Sequence, residues 1–145
     1  MPTVTNADDQ PVALLDTSTA IALVLEDHER HGATIEAVRG RRLGLCGHAW
    51  FETYSVLTRL GPGQRRSPAD SLRILLHNFP ASRFLPPEDA AELGQDLARL
   101  GISGGAVYDA LVGAVARQAR LPLLSGDTRA RPTYDALGVR VEVVV

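Results

Sequence analysis

Four acidic residues lie beside apolar segments, where a carboxylate serves chemistry better than solubility: Asp16, Glu52, Asp109 and Asp127. The first directly follows an apolar run that ends at Leu15, and the last lies three residues beyond Leu124, where another apolar run ends. The middle two interrupt apolar stretches, where an ionised carboxylate is costly unless it is paired or bound to a metal. The four acids are therefore candidate ligands or catalytic groups.

The residue types indicate which metal such a set would hold. Clustered carboxylates repel one another, and each raises its neighbours' pKa unless a cation offsets the charge. Oxygen ligands without cysteine, and without an obvious histidine cluster, favour Mg²⁺, with Mn²⁺ as the alternative. One or two such ions in a carboxylate cage are a standard device for phosphodiester hydrolysis.

Each acid also has a purely structural interpretation. Asp16 and Asp127 are suited to cap helix N-termini, where Asp is a preferred residue, and for each taken alone capping and function stay open. Glu52 and Asp109 are harder to explain that way because their neighbours are apolar. Four such acids without an Arg beside each are not a packing pattern.

The elements that must position these acids alternate between short apolar strands and helices. Five strands are predicted to end near residues 16, 46, 85, 124 and 145. Helices are predicted over residues 20–25, 29–39, 48–60, 67–78, 87–100 and 105–119, with residues 17–19 as N-caps of the first and a short helical segment after Asp127. This alternation predicts an α/β fold with a parallel sheet covered on both faces. Because chemistry in such sheets gathers at the carboxyl ends of the strands, the four acids should converge on one cleft.

Composition excludes several function classes. With 145 residues the chain makes one domain, residues 1–145. All 15 basic residues are Arg, which excludes lysine-dependent sites such as a Walker A loop, a Schiff-base enzyme or a phosphoacceptor receiver domain. The single Cys46 excludes an internal disulfide and suits a reducing compartment. His28 and His31 have helical spacing but lack the third ligand that a zinc site needs.

Residues 1–11 form a polar N-terminal extension without the features of a signal peptide. The longest apolar run, residues 20–25, is too short to span a bilayer. We therefore expect a soluble, cytoplasmic protein that does not bind membranes.

Basic residues concentrate in the middle of the chain. Residues 39–83 contain eight Arg and two acids, whereas residues 1–38 contain one Arg and seven acids. Arg65 and Arg66 follow a Gly-Pro-Gly turn, which predicts a projecting loop. Such a pair either contacts RNA phosphates or is only a solvated surface, and the sequence leaves both open.

The acidic motifs resemble those of PIN-domain ribonucleases, and more narrowly those of the VapC toxins of type II toxin–antitoxin pairs. The resemblance rests on residues 14–18, 50–53, 108–111 and 123–127, with residues 66–71 similar to the mid-chain segment of the family. It covers residues 12–145, and the ordered set is more specific than any single motif.

The resemblance implies a parallel sheet with strand order 3-2-1-4-5, a homodimer, a cognate VapB-type antitoxin and an RNA substrate (tRNA, rRNA or mRNA). It assigns the acidic quartet to Asp16, Glu52, Asp109 and Asp127, as catalytic and metal-binding residues, and supporting hydroxyls to Thr17, Ser18 and Ser125. The chain departs from the family after Asp127, where an aromatic residue about three positions on is usual and residues 129–134 intervene. Asp135 is there either a fifth acid or, as we expect, a solvent-facing residue.

We therefore expect a Mg²⁺-dependent endoribonuclease that acts as a toxin. The alternatives are a free-standing PIN nuclease without an antitoxin, and a catalytically silent partner that only regulates or binds. The chain is too short for the inserted arches of flap nucleases. The presence of all four acids argues against the silent partner.

Overall fold

The four strands of the fold form one parallel sheet. The computed structural model describes residues 7–145, so residues 1–6 of the predicted extension lie outside it. After a single 3₁₀ turn at Ala7–Asp9, the strands are β1 (Val12–Leu15), β2 (Arg42–Leu45), β3 (Leu123–Ser125) and β4 (Val141–Val143). Their order across the sheet is β2-β1-β3-β4, and all neighbouring pairs are parallel.

Seven helices connect and cover these strands among residues 7–145. They are α1 (Thr17–Val24), α2 (His31–Val38), α3 (His48–Thr58), α4 (Pro68–Asn78), α5 (Pro87–Leu100), α6 (Ala106–Ala119) and α7 (Arg131–Ala136). The first helix begins earlier than predicted, because Asp16 and not residues 17–19 is its N-cap, its side chain accepting the Thr19 N–H. The hydroxyl residues that follow Asp16 therefore lie inside the first turn of α1.

The α/β fold class is confirmed, but the prediction of five strands is wrong by one. The segment predicted as the third strand keeps only an isolated parallel bridge between Arg83 and Cys46, at the free side of β2. Its position corresponds to the outer place in the predicted order 3-2-1-4-5. Pro86 and Pro87 follow at once, and proline has no N–H to donate to a ladder. The pairing therefore ends after one residue.

Both faces of the sheet are buried, as is typical of parallel strands. On one face Leu14 and Leu123 pack with residues of α5, α6 and α7. On the other, Leu15 and Leu124 pack with residues of α1 and α4. Successive residues of β1 thus point alternately into two hydrophobic cores. This alternation fixes the register of β1 in the sheet and therefore the position of Asp16 directly after it.

Gly44 in β2 allows the chain to approach the sheet edge closely. A Cβ atom at this position would lie 2.3 Å from the carbonyl oxygen of Ala81 and 2.7 Å from the amide nitrogen of Ser82. The neighbouring Ala81 N–H donates to the Leu43 carbonyl at 2.9 Å. The segment that carries Arg83 therefore packs directly on the backbone of β2.

No helix within residues 7–145 is both long and apolar enough to cross a membrane.

Candidate active site

The four acids line one cleft of about 360 Å³ at the carboxyl ends of the strands. Asp16 follows β1, Asp127 follows β3, Glu52 lies one turn into α3, and Asp109 lies in the first turn of α6. We call this the carboxylate cleft. The structure thus brings together all four acids, which the sequence separates by up to 111 positions.

Asp16 is the most firmly held of the four. Its side chain is only 4% exposed. Oδ1 accepts hydrogen bonds from the hydroxyl of Ser18 at 3.2 Å and from the N–H and hydroxyl of Thr19 at 3.2 and 2.7 Å. Oδ2 accepts from the hydroxyls of Ser125 and Tyr134, the latter at 3.0 Å. The capping interpretation of Asp16 is therefore confirmed, and the same carboxylate also follows β1 and lines the cleft.

The predicted supporting hydroxyls lie around Asp16. Ser125 donates to the Asp16 carboxylate and accepts the backbone N–H of Asp127 at 3.1 Å, so one side chain links two acids of the cleft. Thr17 and Ser18 line the cleft itself. Their position follows from the helix that starts directly after Asp16.

Asp127 is held by the turn that follows β3. Its Oδ1 accepts the backbone N–H groups of Arg129 at 2.9 Å and Ala130 at 3.2 Å. Its Oδ2 lies 3.2 Å from Nη2 of the Arg129 guanidinium, whose Nη1 lies 3.5 Å from Oδ2 of Asp109. The Arg129 side chain thus contacts two of the four acids.

Glu52 is the most loosely held acid of the cleft. Its side chain is about half-exposed, and Oε1 lies 3.2 Å from Nε2 of His48, one turn earlier on α3. The His48 ring stacks on Tyr108, with ring centroids 5.0 Å apart. This stack joins the starts of α3 and α6, which carry Glu52 and Asp109.

The surroundings of Asp109 disfavour its ionised form. Its pKa is raised above the ordinary value, mainly because its carboxylate is partly buried. The charges of Asp127, Glu52 and Asp16 raise the pKa further, and the Arg129 guanidinium lowers it. The cleft therefore holds more negative charge than its side chains neutralise.

That excess charge, carried by carboxylate oxygens, suits a divalent cation. As the side chains stand, no three acidic, histidine or cysteine residues within positions 7–145 are close enough together to enclose a metal ion. The donor set fits Mg²⁺ or Mn²⁺.

The other residues singled out from the sequence lie elsewhere or have other partners. Arg65 and Arg66 lie between α3 and α4 and do not line the carboxylate cleft; Arg65 Nε donates to the Leu60 carbonyl at 3.1 Å. His28 lines the cleft, but its Nδ1 accepts the Arg30 N–H at 3.0 Å. Asp135 is exposed and 2.8 Å from Arg131.

Three side chains of the site were not predicted from the sequence. Thr19 was predicted to be an N-cap, but its hydroxyl donates to Asp16. Arg129 was noted only as one of the residues that depart from the family pattern, but its guanidinium contacts Asp109 and Asp127. Tyr134 is buried at 1% exposure against Asp16. The available signal was an aromatic residue soon after Asp127, displaced here to the end of the segment 129–134.

Comparison with known proteins identifies the family. Residues 13–135 match the family model of the PIN domain. The chain belongs to the PIN-domain family. Within it the chain is 43% identical over 134 residues to Ribonuclease VapC27 of Mycobacterium tuberculosis, covering 92% of this chain and 98% of that protein. It is 41% identical over 131 residues to Ribonuclease VapC40 of the same species, covering 89% and 96%. It is therefore a PIN-domain protein of the VapC ribonuclease group.

Solved structures show the same PIN fold. VapC20 of Mycobacterium tuberculosis, described as a Sarcin-Ricin loop cleaving toxin, aligns with a TM-score of 0.65 at 20% identity, over 88% of this chain and 95% of that one. A VapBC2 chain from Rickettsia felis, crystallised with a promoter DNA fragment, aligns with a TM-score of 0.64 at 13% identity, over 91% and 98%. Membership of the PIN ribonuclease family implies the use of a divalent metal ion.

Proposed function

We propose that this PIN-domain protein is the toxin of a type II toxin–antitoxin pair, a Mg²⁺-dependent endoribonuclease whose site is the carboxylate cleft. The observation that carries the proposal is the convergence of Asp16, Glu52, Asp109 and Asp127 on one cleft at the carboxyl ends of the strands. The names of the relatives as ribonucleases support an RNA substrate, whether tRNA, rRNA or mRNA. Such a toxin acts in the cytoplasm, where its substrates are.

Each residue of the cleft has a separate part in this proposal. The four carboxylates would hold the cation, with Mn²⁺ as the alternative to Mg²⁺. When bound, the metal supplies activation of water and neutralisation of the charge that develops on the phosphate. The hydroxyls of Thr19, Ser125 and Tyr134 fix the Asp16 carboxylate in one orientation. Ser125 also couples that orientation to the turn at Asp127.

The direct test is removal of one charge at a time. We expect Asp16→Asn, Glu52→Gln, Asp109→Asn and Asp127→Asn each to abolish RNA cleavage by the purified protein in Mg²⁺, and to abolish growth inhibition on expression. The matched control is Asp135→Asn, because Asp135 is an exposed acid paired with Arg131. EDTA should abolish RNA cleavage by the wild-type protein. Cleavage at the full rate by any two of the four variants would refute the assignment of the quartet.

An antitoxin of VapB type is the proposed partner. A cleft with excess negative charge is a natural site for a basic side chain of the antitoxin. We propose that an apolar helix of the antitoxin packs on the surface of α1 and the neighbouring helices, where Ile35, Leu72 and Leu76 are exposed. Truncation of the antitoxin's C-terminal tail should then release the ribonuclease. Full binding and inhibition by the truncated antitoxin would contradict this arrangement.

An exposed aromatic surface supports the proposed homodimer. Phe51, Phe84 and Tyr108 are 60%, 54% and 55% exposed, and the rings of Phe51 and Phe84 lie 6.2 Å apart. Exposed apolar patches of this kind mark interaction sites. We expect Phe51→Ser to convert a dimer to a monomer in light scattering after size-exclusion chromatography. The control is Leu76→Ser, which removes an equally exposed apolar side chain elsewhere, and a dimer unchanged by Phe51→Ser would exclude this surface.

Arg65 and Arg66 are proposed as phosphate contacts near the cleft. Gln64, beside them, donates to Asp27 at 2.8 Å, and the next residue, His28, lines the cleft. Because backbone contacts release counterions, the double Ala variant should bind RNA in EDTA with a salt slope shallower by about one to two units. The Arg73/Arg99 double Ala variant is the control. An unaltered slope would make Arg65 and Arg66 a solvated pair.

A further inference from the structure

The guanidinium of Arg129 lies across the mouth of the carboxylate cleft. Nη2 is 3.2 Å from Oδ2 of Asp127, and Nη1 is 3.5 Å from Oδ2 of Asp109. These two acids come from different elements, the turn after β3 and the first turn of α6. Arg129 is the one arginine among residues 7–145 that forms ion pairs with acids of the quartet.

The guanidinium is not needed to hold either acid in place. Asp127 is oriented through Oδ1 by the backbone N–H groups of Arg129 and Ala130, and these groups remain whatever side chain stands at position 129. Asp109 lies on the first turn of a 14-residue helix that is anchored in the core. The guanidinium therefore neutralises the charge of these two carboxylates and is not required to position them.

The place of the guanidinium is also the place where a cation is needed. Oδ2 of Asp127 and Oδ2 of Asp109 are directed to Arg129, and Asp109 feels the charge of the other three acids. In this arrangement no three acidic, histidine or cysteine side chains within residues 7–145 are close enough together to enclose a metal ion. A divalent cation that binds both carboxylates must take the position of the guanidinium, because like charges repel at this distance.

We propose that Arg129 is a built-in counter-ion of the carboxylate cleft, which a divalent cation must displace from Asp109 and Asp127 before it can bind. Arg129 thereby neutralises the metal-free cleft and weakens its affinity for the cation. It sets the free cation concentration at which the site fills. This inference rests on the proposed metal site and adds a residue that competes with the metal.

The neighbouring Arg131 provides a matched control. It lies two residues further along the same segment and pairs at 2.8 Å with Asp135, outside the quartet. Arg131→Ala removes the same charge from the same region, so it reproduces any change in long-range electrostatics. Only Arg129→Ala removes the direct contacts with the cleft.

The test is calorimetric titration of the full chain with Mn²⁺ alone, without RNA, so that catalysis plays no part. We expect Arg129→Ala to bind Mn²⁺ about three- to fivefold more tightly than wild type, the change appropriate to partly exposed ion pairs. Arg129→Lys, which keeps the charge, should lie nearer to wild type, and Arg131→Ala should match wild type. The rise in melting temperature caused by Mn²⁺ should follow the same order.

Two outcomes would overturn the inference in distinguishable ways. Equal or weaker Mn²⁺ binding by Arg129→Ala, with a wild type that binds, would show that the guanidinium does not compete, and would leave the proposed ribonuclease site intact. Absence of Mn²⁺ binding in wild type and in every variant would overturn the metal site itself, and the competition with it.

Discussion

The hydrogen bond from Tyr134 to Asp16 offers a direct measure of how the fold holds its buried acid. Tyr134 is 1% exposed, and its hydroxyl donates to Oδ2 of Asp16 at 3.0 Å. Burial, and the charge of Asp16 next, raise the pKa of the Tyr134 phenol far above its ordinary value, so the hydroxyl stays protonated and remains a donor at neutral pH. Tyr134→Phe keeps the ring in the core and removes only this donor.

The size of the effect follows from the environment of the bond. A hydrogen bond to a charged group contributes about 1.5–3 kcal/mol, and a buried charge that loses a donor is not compensated by water. Asp16 retains its other donors, from Ser18, Thr19 and Ser125. We therefore expect Tyr134→Phe to lower the free energy of unfolding by about 2 kcal/mol and the melting temperature by roughly 5–10 °C for a domain of this size.

Urea denaturation at pH 7 in EDTA, followed by circular dichroism, measures this loss in the metal-free protein. The control is Tyr108→Phe, whose ring is 55% exposed and which should change the free energy of unfolding by less than about 0.5 kcal/mol. If Tyr134→Phe is as stable as Tyr108→Phe, the reasoning that Asp16 depends on its hydroxyl donors is refuted.

Two further perturbations test the cleft and the sheet edge. Because the pKa of Asp109 is raised on folding, the contribution of this residue to stability is present at low pH and is lost as the pH rises. Metal-free Asp109→Asn should therefore unfold at a higher temperature than wild type at pH 7, and this advantage should vanish below about pH 4. Equal melting temperatures of variant and wild type at both pH values would contradict the repulsion. Gly44→Ala places a Cβ 2.3 Å from the Ala81 carbonyl oxygen and should lower the free energy of unfolding, measured by urea denaturation, by about 3 kcal/mol or more. The control is Gly94→Ala in α5, which has open space around it and should be neutral or stabilise the protein by up to about 1 kcal/mol. A neutral Gly44→Ala would show that the segment packed on β2 can move away.

The fold class and the convergence of the acids were predictable because they depend on patterns along the chain, whereas the strand order came only from the resemblance to the family. Short apolar runs predict buried strands, and parallel strands place their carboxyl ends at one edge. The absence of the predicted third strand could not be seen from apolarity alone. Arg83 does pair with Cys46, but the two prolines that follow it closely end the pairing after this one residue. The sequence left the N-cap of the first helix open, because the hydroxyl residues 17–19 and the preceding Asp16 are equally good capping candidates by type.

The resemblance to the family assigned Ser125 as a supporting hydroxyl, but the hydrogen bonds that Ser125 and Tyr134 donate to Asp16 could not be read from the sequence. Ser125 and Tyr134 lie 109 and 118 positions away, and only the pairing of β1 with β3 and the packing of α7 bring them to Asp16. The role of Arg129 was hidden for another reason: its side chain pairs with acids from two elements, a choice that depends on the turn after β3. The four acids were identifiable from the sequence, whereas the hydrogen-bond donors to Asp16 and the guanidinium beside Asp109 and Asp127 are positioned by the tertiary structure.

The unequal anchoring of the acids affects how this protein can lose its activity by mutation. Asp16 joins the ends of β1 and β3 to α1 and α7, so a substitution there is expected to remove the activity assigned to the proposed site and also to loosen four elements together. Glu52 is half-exposed and is contacted by His48 alone among the ionisable groups of residues 7–145. A mutant that escapes the toxicity while remaining folded, and still able to occupy an antitoxin, should therefore arise far more readily at Glu52 than at Asp16. Selection for survivors of toxin expression would sample the two positions unequally, and folded, inactive survivors would accumulate at the start of α3.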